Sequence, residues 1–573
     1  MTIHLFKRSL IALAVAAFSI TAHAQTAKDD VPKGWHLKDR QKDGYYGISL
    51  DRAYELVKGK KSKTVLVAVI DSGIDTTHED LKPVLWTNTK EIRGNGVDDD
   101  KNGYVDDIHG WNFLGGKDGK NVTKDSYETA RVYHKHKARF QNLSDTSTLS
   151  AEDRDAYSMW KKAEKQIAGD ANGALELLML KRTYNAAVSS DSILKKGIGK
   201  EVYSGKDLDG FQANTEDQKK AKKTFLFFFT ANNAMDMTNE TLLKEFNQYI
   251  SSEESKAEAA DKAPKNYRGD VVKDNYSDFN DRFYGNNNLM VELDGAEHGT
   301  HVAGIIAAVR NNGKGVDGIA NDVRIMTLRA VPDGDEHDKD IALAIRYAVD
   351  NGAKVVNMSF GKPLSPEKSW VDEAVRYAES KNVLLVHAAG NAGANIDSTE
   401  NYPNPVYKTD SKRATNWITV GASGDPKAGG LLASFSNYGK KEVDVFAPGV
   451  KIYSTVPGGN QYRNHQGTSM ASPVVAGVAA FILSYYPNLT AQQVKYVIEN
   501  SAVKPGSKVH TSGDESLELS ELSVSGGIVN AYEAVQLAEK ISGGGNTARG
   551  SNAKTTKPAK KKQAPKQTAK KAF

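Results

Sequence analysis

The chain has 573 residues, 39% of them hydrophobic and 26% charged, with a formal net charge of +5. That length allows roughly three or four domains with sizeable cores. There is no cysteine, which excludes disulfides, cysteine-ligated zinc and thiol nucleophiles.

Lys7 and Arg8 precede a short apolar run, LIALAVAAFSI (10–20), and AHA (22–24) supplies an A-x-A cleavage site before Gln25. The run falls short of the ~20 residues that a membrane span needs, so residues 1–24 are expected to be a removed signal peptide. No Cys follows the site, so no lipid anchor is expected there, and no later stretch is expected to span a bilayer. Export to the periplasm or the medium follows. Residues 25–60 form an N-terminal lead-in.

VLVAVI (65–70) is a continuous, β-branched apolar run, as are stretches of VRIMTL (323–328), AKVVNMSF (353–360) and NVLLVHAAG (382–390). Such runs suit parallel strands buried on both faces. Helical patterns separate them at DIALAIRYAVDNG (340–352) and VDEAVRYAES (371–380). The alternation predicts an α/β fold, a doubly wound, mostly parallel sheet with helices on both faces and reactive groups at the carboxyl ends of the strands. Its body covers 61–120 and 266–541.

Within the first of these parts lies GNGVDDDKNGYVDD (94–107), with Asp98, Asp100 and Asn102 at alternate positions, then Gly103, then Asp106 and Asp107. Alternating oxygen ligands around a glycine turn are the start of an EF-hand-type calcium loop, although its twelfth position is His109 rather than Glu. A solvated acidic turn is the alternative. The expected structural calcium ligands are Asp98, Asp100, Asn102 and Asp106, with Asp107 in reserve.

Residues 121–265 break the rhythm and read as a helical insertion. Ser150 with Asp153 is a capping signature, and Leu242, Leu243, Phe246, Tyr249 and Ile250 form one helical face after Thr238. Phe225 to Phe229 are too apolar for water and are expected to pack onto the body. At the other end, 542–573 carries eight Lys and one Arg and no acid. That composition predicts a disordered tail.

Three segments carry chemistry. VIDSGID (69–75) puts Asp71 after a buried strand. EHGTHVAG (297–304) puts His298 before a small-residue helix. GTSMASP (467–473) puts Ser469 at a helix start, with Pro473 expected in the first turn. Taken singly, Asp71 reads as a strand-end cap and Ser469 as a helix cap. His298 and His301 lack the i, i+4 spacing of a zinc helix. Taken together, acid, base and hydroxyl supply a nucleophile, its proton acceptor and the group that orients that acceptor. Asn391, in HAAGNAG, reads alone as a left-handed turn residue.

DSGID, HGTHVAG, NMSFG, AAGN and GTSMASP, in that order, resemble the subtilisin-like serine peptidases, or subtilases, over about 61–111 and 290–541. The resemblance implies Asp71, His298 and Ser469 as the triad, and Asn391 with the Ser469 N–H as the oxyanion hole. It implies His301 as packing beside His298. It also implies that Ser359, Phe360 and Gly361 form one wall of a substrate channel and Ala388, Ala389 and Gly390 the other. An extended peptide would pair between them. Neither wall is charged, so an apolar-leaning, tolerant pocket is expected.

Two departures stand out. Asp71 and His298 lie much further apart than the roughly 30 residues of the subtilisin order, and the insertion accounts for the excess. YYGISLDRAYELVKGKKS (45–62) already reads as the opening of a mature enzyme, so no room is expected for the inhibitory pro-domain many subtilases carry. The insertion is then expected to lie beside the cleft and limit access. The leading function is an exported serine endopeptidase acting on proteins or peptides, a monomer that binds no nucleic acid. The alternative is a catalytically weak binding protein that uses the insertion as its surface.

Overall fold

A computed structural model describes residues 31–167, 173–231, 235, 237–512 and 516–543. The expected leader and residues 544–573 of the basic tail lie outside these residues. Seven strands form one sheet: β1 (Val65–Asp71), β2 (Gly110–Asn112), β3 (Val323–Arg329), β4 (Val355–Met358), β5 (Leu384–Ala388), β6 (Trp417–Ser423) and β7 (Val445–Pro448). Their order is β2-β3-β1-β4-β5-β6-β7, and every pairing is parallel. Four strands match the apolar runs. β2, β6 and β7 are additions to the sequence reading.

Helices longer than five residues are α1 (Leu50–Leu56), α2 (Glu128–Phe140), α3 (Ala151–Ile167), α4 (Gly173–Ile198), α5 (Gly205–Gly210), α6 (Glu216–Ala231), α7 (Asn239–Glu258), α8 (Tyr267–Val272), α9 (Glu297–Ala307), α10 (Asp338–Asp350), α11 (Lys368–Ser380), α12 (Thr468–Tyr485), α13 (Ala491–Asn500) and α14 (Ala531–Ser542). The sheet feeds two cores because its side chains alternate between faces. Val67 and Val69 join a core with α1, α9, α12, α13 and α14. Ala68 and Ile70 join the opposite core with α10 and α11. The lead-in is therefore part of the body: Ile48, Leu50, Ala53 and Val57 are all buried there.

α12 is long and apolar enough to cross a membrane by length and composition, but 94% of it is buried as the central core helix. Pro473 falls in its second turn rather than its first. Proline offers no N–H to the Ser469 carbonyl four residues back. The Ser359 hydroxyl donates to that carbonyl instead, at 3.0 Å.

The inserted helices α2–α7 divide in two. α4–α7 enclose a core of their own, where Phe225, Phe228 and Phe229 pack with Leu194, Tyr203, Leu208 and Phe246. This corrects the expectation that the phenylalanine run covers the body: four helices offer enough apolar surface to bury Phe225, Phe228 and Phe229 locally, while Phe227 stays exposed. α2 and α3 do meet the body, through Val132, Ala163 and Leu364.

Both ends of the insertion are fastened by buried charges to the acidic run 335–340 at the start of α10. At the first end, Arg131 pairs with Glu128 at 2.7 Å and donates to the Asp335 and Glu336 carbonyls. His337 meets Asp125 at 3.0 Å. At the second, Arg268 pairs with Asp340 at 2.7 Å and with Asp274 at 2.5 Å, and Lys339 reaches Asp274 at 2.7 Å. Because α10 follows β3 at the carboxyl edge of the sheet, both ends return to that edge.

Candidate active site

Asp71 is the last residue of β1, and its carboxylate is buried. Oδ1 accepts from the Ser72 N–H at 2.8 Å and lies 2.7 Å from His298 Nδ1. An ionised carboxylate only accepts hydrogen bonds, so Nδ1 carries the proton and Nε2 keeps its lone pair. Nε2 is buried and has no hydrogen-bond partner among the described residues.

Ser469 is the second residue of α12 and fully buried. Its hydroxyl donates to the Ser359 carbonyl at 2.9 Å. With the return bond from the Ser359 hydroxyl to the Ser469 carbonyl, the two serines lock the helix start to the segment that follows β4. Ile70 pairs with Met358 in the β1–β4 register. Continuing that register puts Asp71 beside Ser359, the residue that ties down Ser469.

Asn391 follows β5. Its Oδ1 accepts from both the N–H and the hydroxyl of Thr468, each at 2.9 Å. A backbone N–H can only donate, so Oδ1 faces Thr468 and the amide NH2 points the other way. The Thr468 hydroxyl also accepts from the Gly390 N–H at 3.1 Å. Thr468 belongs to a motif visible in the sequence, yet this tie between the Asn391 loop and α12 is not legible there.

The sequence matches the Subtilase family over residues 62–526. The chain belongs to the subtilase family. It is similar to Subtilisin DY of Bacillus licheniformis, 41% identical over 215 residues, which is 37% of this chain and 73% of that one. It is also similar to a thermophilic serine proteinase of Bacillus sp. (strain AK1), 43% identical over 213 residues, and spans 48% of that protein's length. The protease domain of PatA is similar at 28% identity, covering 44% of this chain and 84% of that one, with a TM-score of 0.36.

In this subtilase the six expected wall residues differ in access. Ser359, Phe360, Ala388 and Ala389 are buried, Gly361 is exposed and Gly390 is half-buried. The Asn401 amide lies between the two walls. A Cβ on Gly361 would meet its Oδ1 at 3.0 Å, and a Cβ on Gly390 would lie 3.8 Å from its Nδ2. A polar group that neither motif announces thus lies between the two expected walls.

His301 is buried, its Nε2 3.1 Å from the Arg463 carbonyl and its ring 4.5 Å from that of His465. Burial holds its pKa well below the usual histidine range, so it stays neutral beside His298. Glu297, next to His298, lies 3.0 Å from His465 and 3.2 Å from Arg463. Burial alone would raise this carboxyl, but His465, Arg463 and Lys244 bring it down to about 2.

The calcium-type loop is arranged differently from the sequence expectation. Ligand atoms of Glu91, Asp98 and Asp100 lie within 4.8 Å of one another. Glu91 is outside the expected ligand set, because it precedes the motif. Asp106 instead caps the Gly94 and Gly96 N–H groups, at 2.6 and 2.9 Å. Asn102 uses its carbonyl on the Tyr104 N–H and its amide on Asp107. Asp107 itself is raised to about 6 by burial.

Gly299 explains the close approach of α9 to β1. A Cβ there would stand 2.1 Å from the Gly73 carbonyl and 3.2 Å from the Asp71 Cβ. Gly299→Ala should therefore push α9 outward and lengthen the Asp71–His298 bond. The expected result is a loss of about 1–3 kcal/mol in stability by overpacking together with loss of the far-downfield His298 Nδ1 proton in the NMR spectrum. An unchanged proton resonance would show that the approach is not limiting.

Proposed function

We propose that this subtilase is an exported serine endopeptidase. The Asp71–His298 hydrogen bond at 2.7 Å carries the reading, because it fixes the tautomer in which Nε2 is a base. Rotation about the Ser469 side chain would move its proton from the Ser359 carbonyl to Nε2, freeing Oγ to attack a peptide carbonyl. The resulting imidazolium is stabilised by Asp71, and its proton then passes to the leaving amine, giving the acyl-enzyme. The Asn391 NH2 and the Ser469 N–H, which sits in the first helical turn where no intrahelical acceptor exists, would hold the oxyanion. Water would release the acyl group by the reverse proton path. Export rests on the n-region, apolar run and A-x-A site of residues 1–24.

The insertion is positioned to restrict access. α3 meets the channel side through Lys162 and Glu400 at 2.6 Å, and α7 meets the approach to His298 through Lys244 and Asp294 at 2.8 Å. Contact on both sides supports a cover over the cleft, selecting unfolded chains over folded ones.

We also infer a structural calcium ion at Glu91, Asp98 and Asp100. The donors are all carboxylate oxygens, which suit a hard cation, and three carboxylates this close repel one another without one. Bound calcium would neutralise them and brace the loop beneath β2.

With casein or a tetrapeptide substrate, Ser469→Ala should lose of order 10⁶ in kcat, the loss measured on the triad of subtilisin itself. Normal hydrolysis by that variant would end the serine-peptidase reading. Chelation should lower the melting temperature of the wild type, by mass action on a site that only the folded chain offers, and Glu91→Gln should abolish that difference. A wild-type melting curve indifferent to chelator would remove the calcium ion.

A further inference from the structure

Lys362 directly follows the wall residues Ser359, Phe360 and Gly361, and it is built into the protein twice over. Its backbone exchanges two hydrogen bonds with Tyr402, both 2.9 Å, N–H to carbonyl in each direction. Tyr402 adjoins Asn401, whose amide lies between the two walls. The backbone of Lys362 therefore sets the distance between the Gly361 wall and the Asn401 floor.

The side chain runs the other way, into the interior. Only 1% of it is exposed, and its ammonium meets Glu128 Oε2 at 2.7 Å, Asp338 Oδ1 at 2.9 Å and the Glu336 carbonyl at 2.8 Å. The ammonium donates to Glu128 Oε2 and to the Glu336 carbonyl and pairs with Asp338 Oδ1, so oxygens surround it on three sides. Glu128 belongs to the insertion and is itself held from two sides. Arg131 binds both its oxygens, at 3.2 and 2.7 Å, and its N–H donates to Asp335 at 2.8 Å. Burial would raise the Glu128 carboxyl, but Arg131 and Lys362 outweigh it and lower it to about 2. The pair is thus charged at every working pH and cannot relax into water.

We propose that Glu128 and Lys362 are positioning residues for the substrate channel: the first helix of the insertion sets the spacing of the wall against which an extended peptide binds. This rests on the peptidase reading. The insertion then contributes to peptide binding from its root, independently of any cover formed by α3 and α7. A buried charge that loses its partner forces its surroundings to rearrange, and the nearest movable part is the exposed strand at Gly361.

The test uses the full chain, with Glu128→Gln, Lys362→Met and the double variant. Active sites are counted with a phosphonate titrant. Each variant is then assayed on a tetrapeptide anilide and on a small activated ester that makes little use of the channel. The expected result is a rise of about tenfold in KM for the tetrapeptide, in keeping with the cost of small displacements at a binding site, with kcat per active site and the small-ester rate within about twofold. The double variant should be no worse than the worse single one, since both break the same link. If Lys362→Met does not fold, the isosteric Glu128→Gln decides. A lower melting temperature and fewer titratable sites with an unchanged KM would mark a merely structural pair and overturn the inference. A wild type without any titratable serine would overturn the peptidase reading, and this inference with it.

Discussion

The hydrogen bond between Asp71 and His298 joins two points 227 residues apart in the chain, and the arrangement of the catalytic edge follows from it. It forms only if the end of β1 and the start of α9 meet at van der Waals distance, which Gly299 permits. It also needs a buried carboxylate at a strand end, where the parallel sheet leaves side chains facing out of its carboxyl edge. With that pair in place, Ser359 stands just past the end of the adjacent strand β4 and ties down Ser469, and Thr468 ties down Asn391. The elements meet through short bonds between backbone and small side chains, so each reactive group is held by its neighbour rather than by a long flexible arm.

The second constraint is the return of the inserted helices to the same edge. A chain that leaves after β2 and returns before α9 must end both its excursions near the start of α10. The run 335–340 meets that need with acidic side chains and backbone carbonyls facing Arg131, Lys362 and Arg268, and with Lys339 reaching out to Asp274. Ion pairs of this kind add little net stability when desolvation is counted, yet breaking one leaves a buried charge without a partner. Their effect here is to give the insertion one docking geometry. Its outer half, with a separate phenylalanine-rich core, adds bulk without perturbing that joint.

Much of the candidate site is legible in the sequence because the proposed acyl transfer would need particular residues in contiguous segments. Asp71, His298, Asn391 and Ser469 each sit beside glycines or small residues that let backbones approach. The strands β1, β3, β4 and β5 are readable because burial on both faces leaves an unbroken apolar run. β2 is only three residues long, and β6 and β7 lie among glycines and prolines that mask them. What escapes is long-range by nature. Nothing around Glu128 or Lys362 in the sequence says that they meet, since their partners are set by the tertiary fold. Glu91 escapes because an EF-hand-type motif supplies its ligands from within one loop, and this residue lies outside it. The phenylalanine run is legible as buried, but its partners are helices within the same insertion.

The central claim is that Ser469 is a nucleophile activated by the His298–Asp71 pair. The most direct measurement is labelling of the folded protein with a fluorophosphonate, followed by peptide mapping in the mass spectrometer, for the wild type and for His298→Ala. One adduct is expected, on Ser469, formed in the wild type and lost in the variant. Labelling on another residue, or equal labelling of Ser469 without His298, would contradict it.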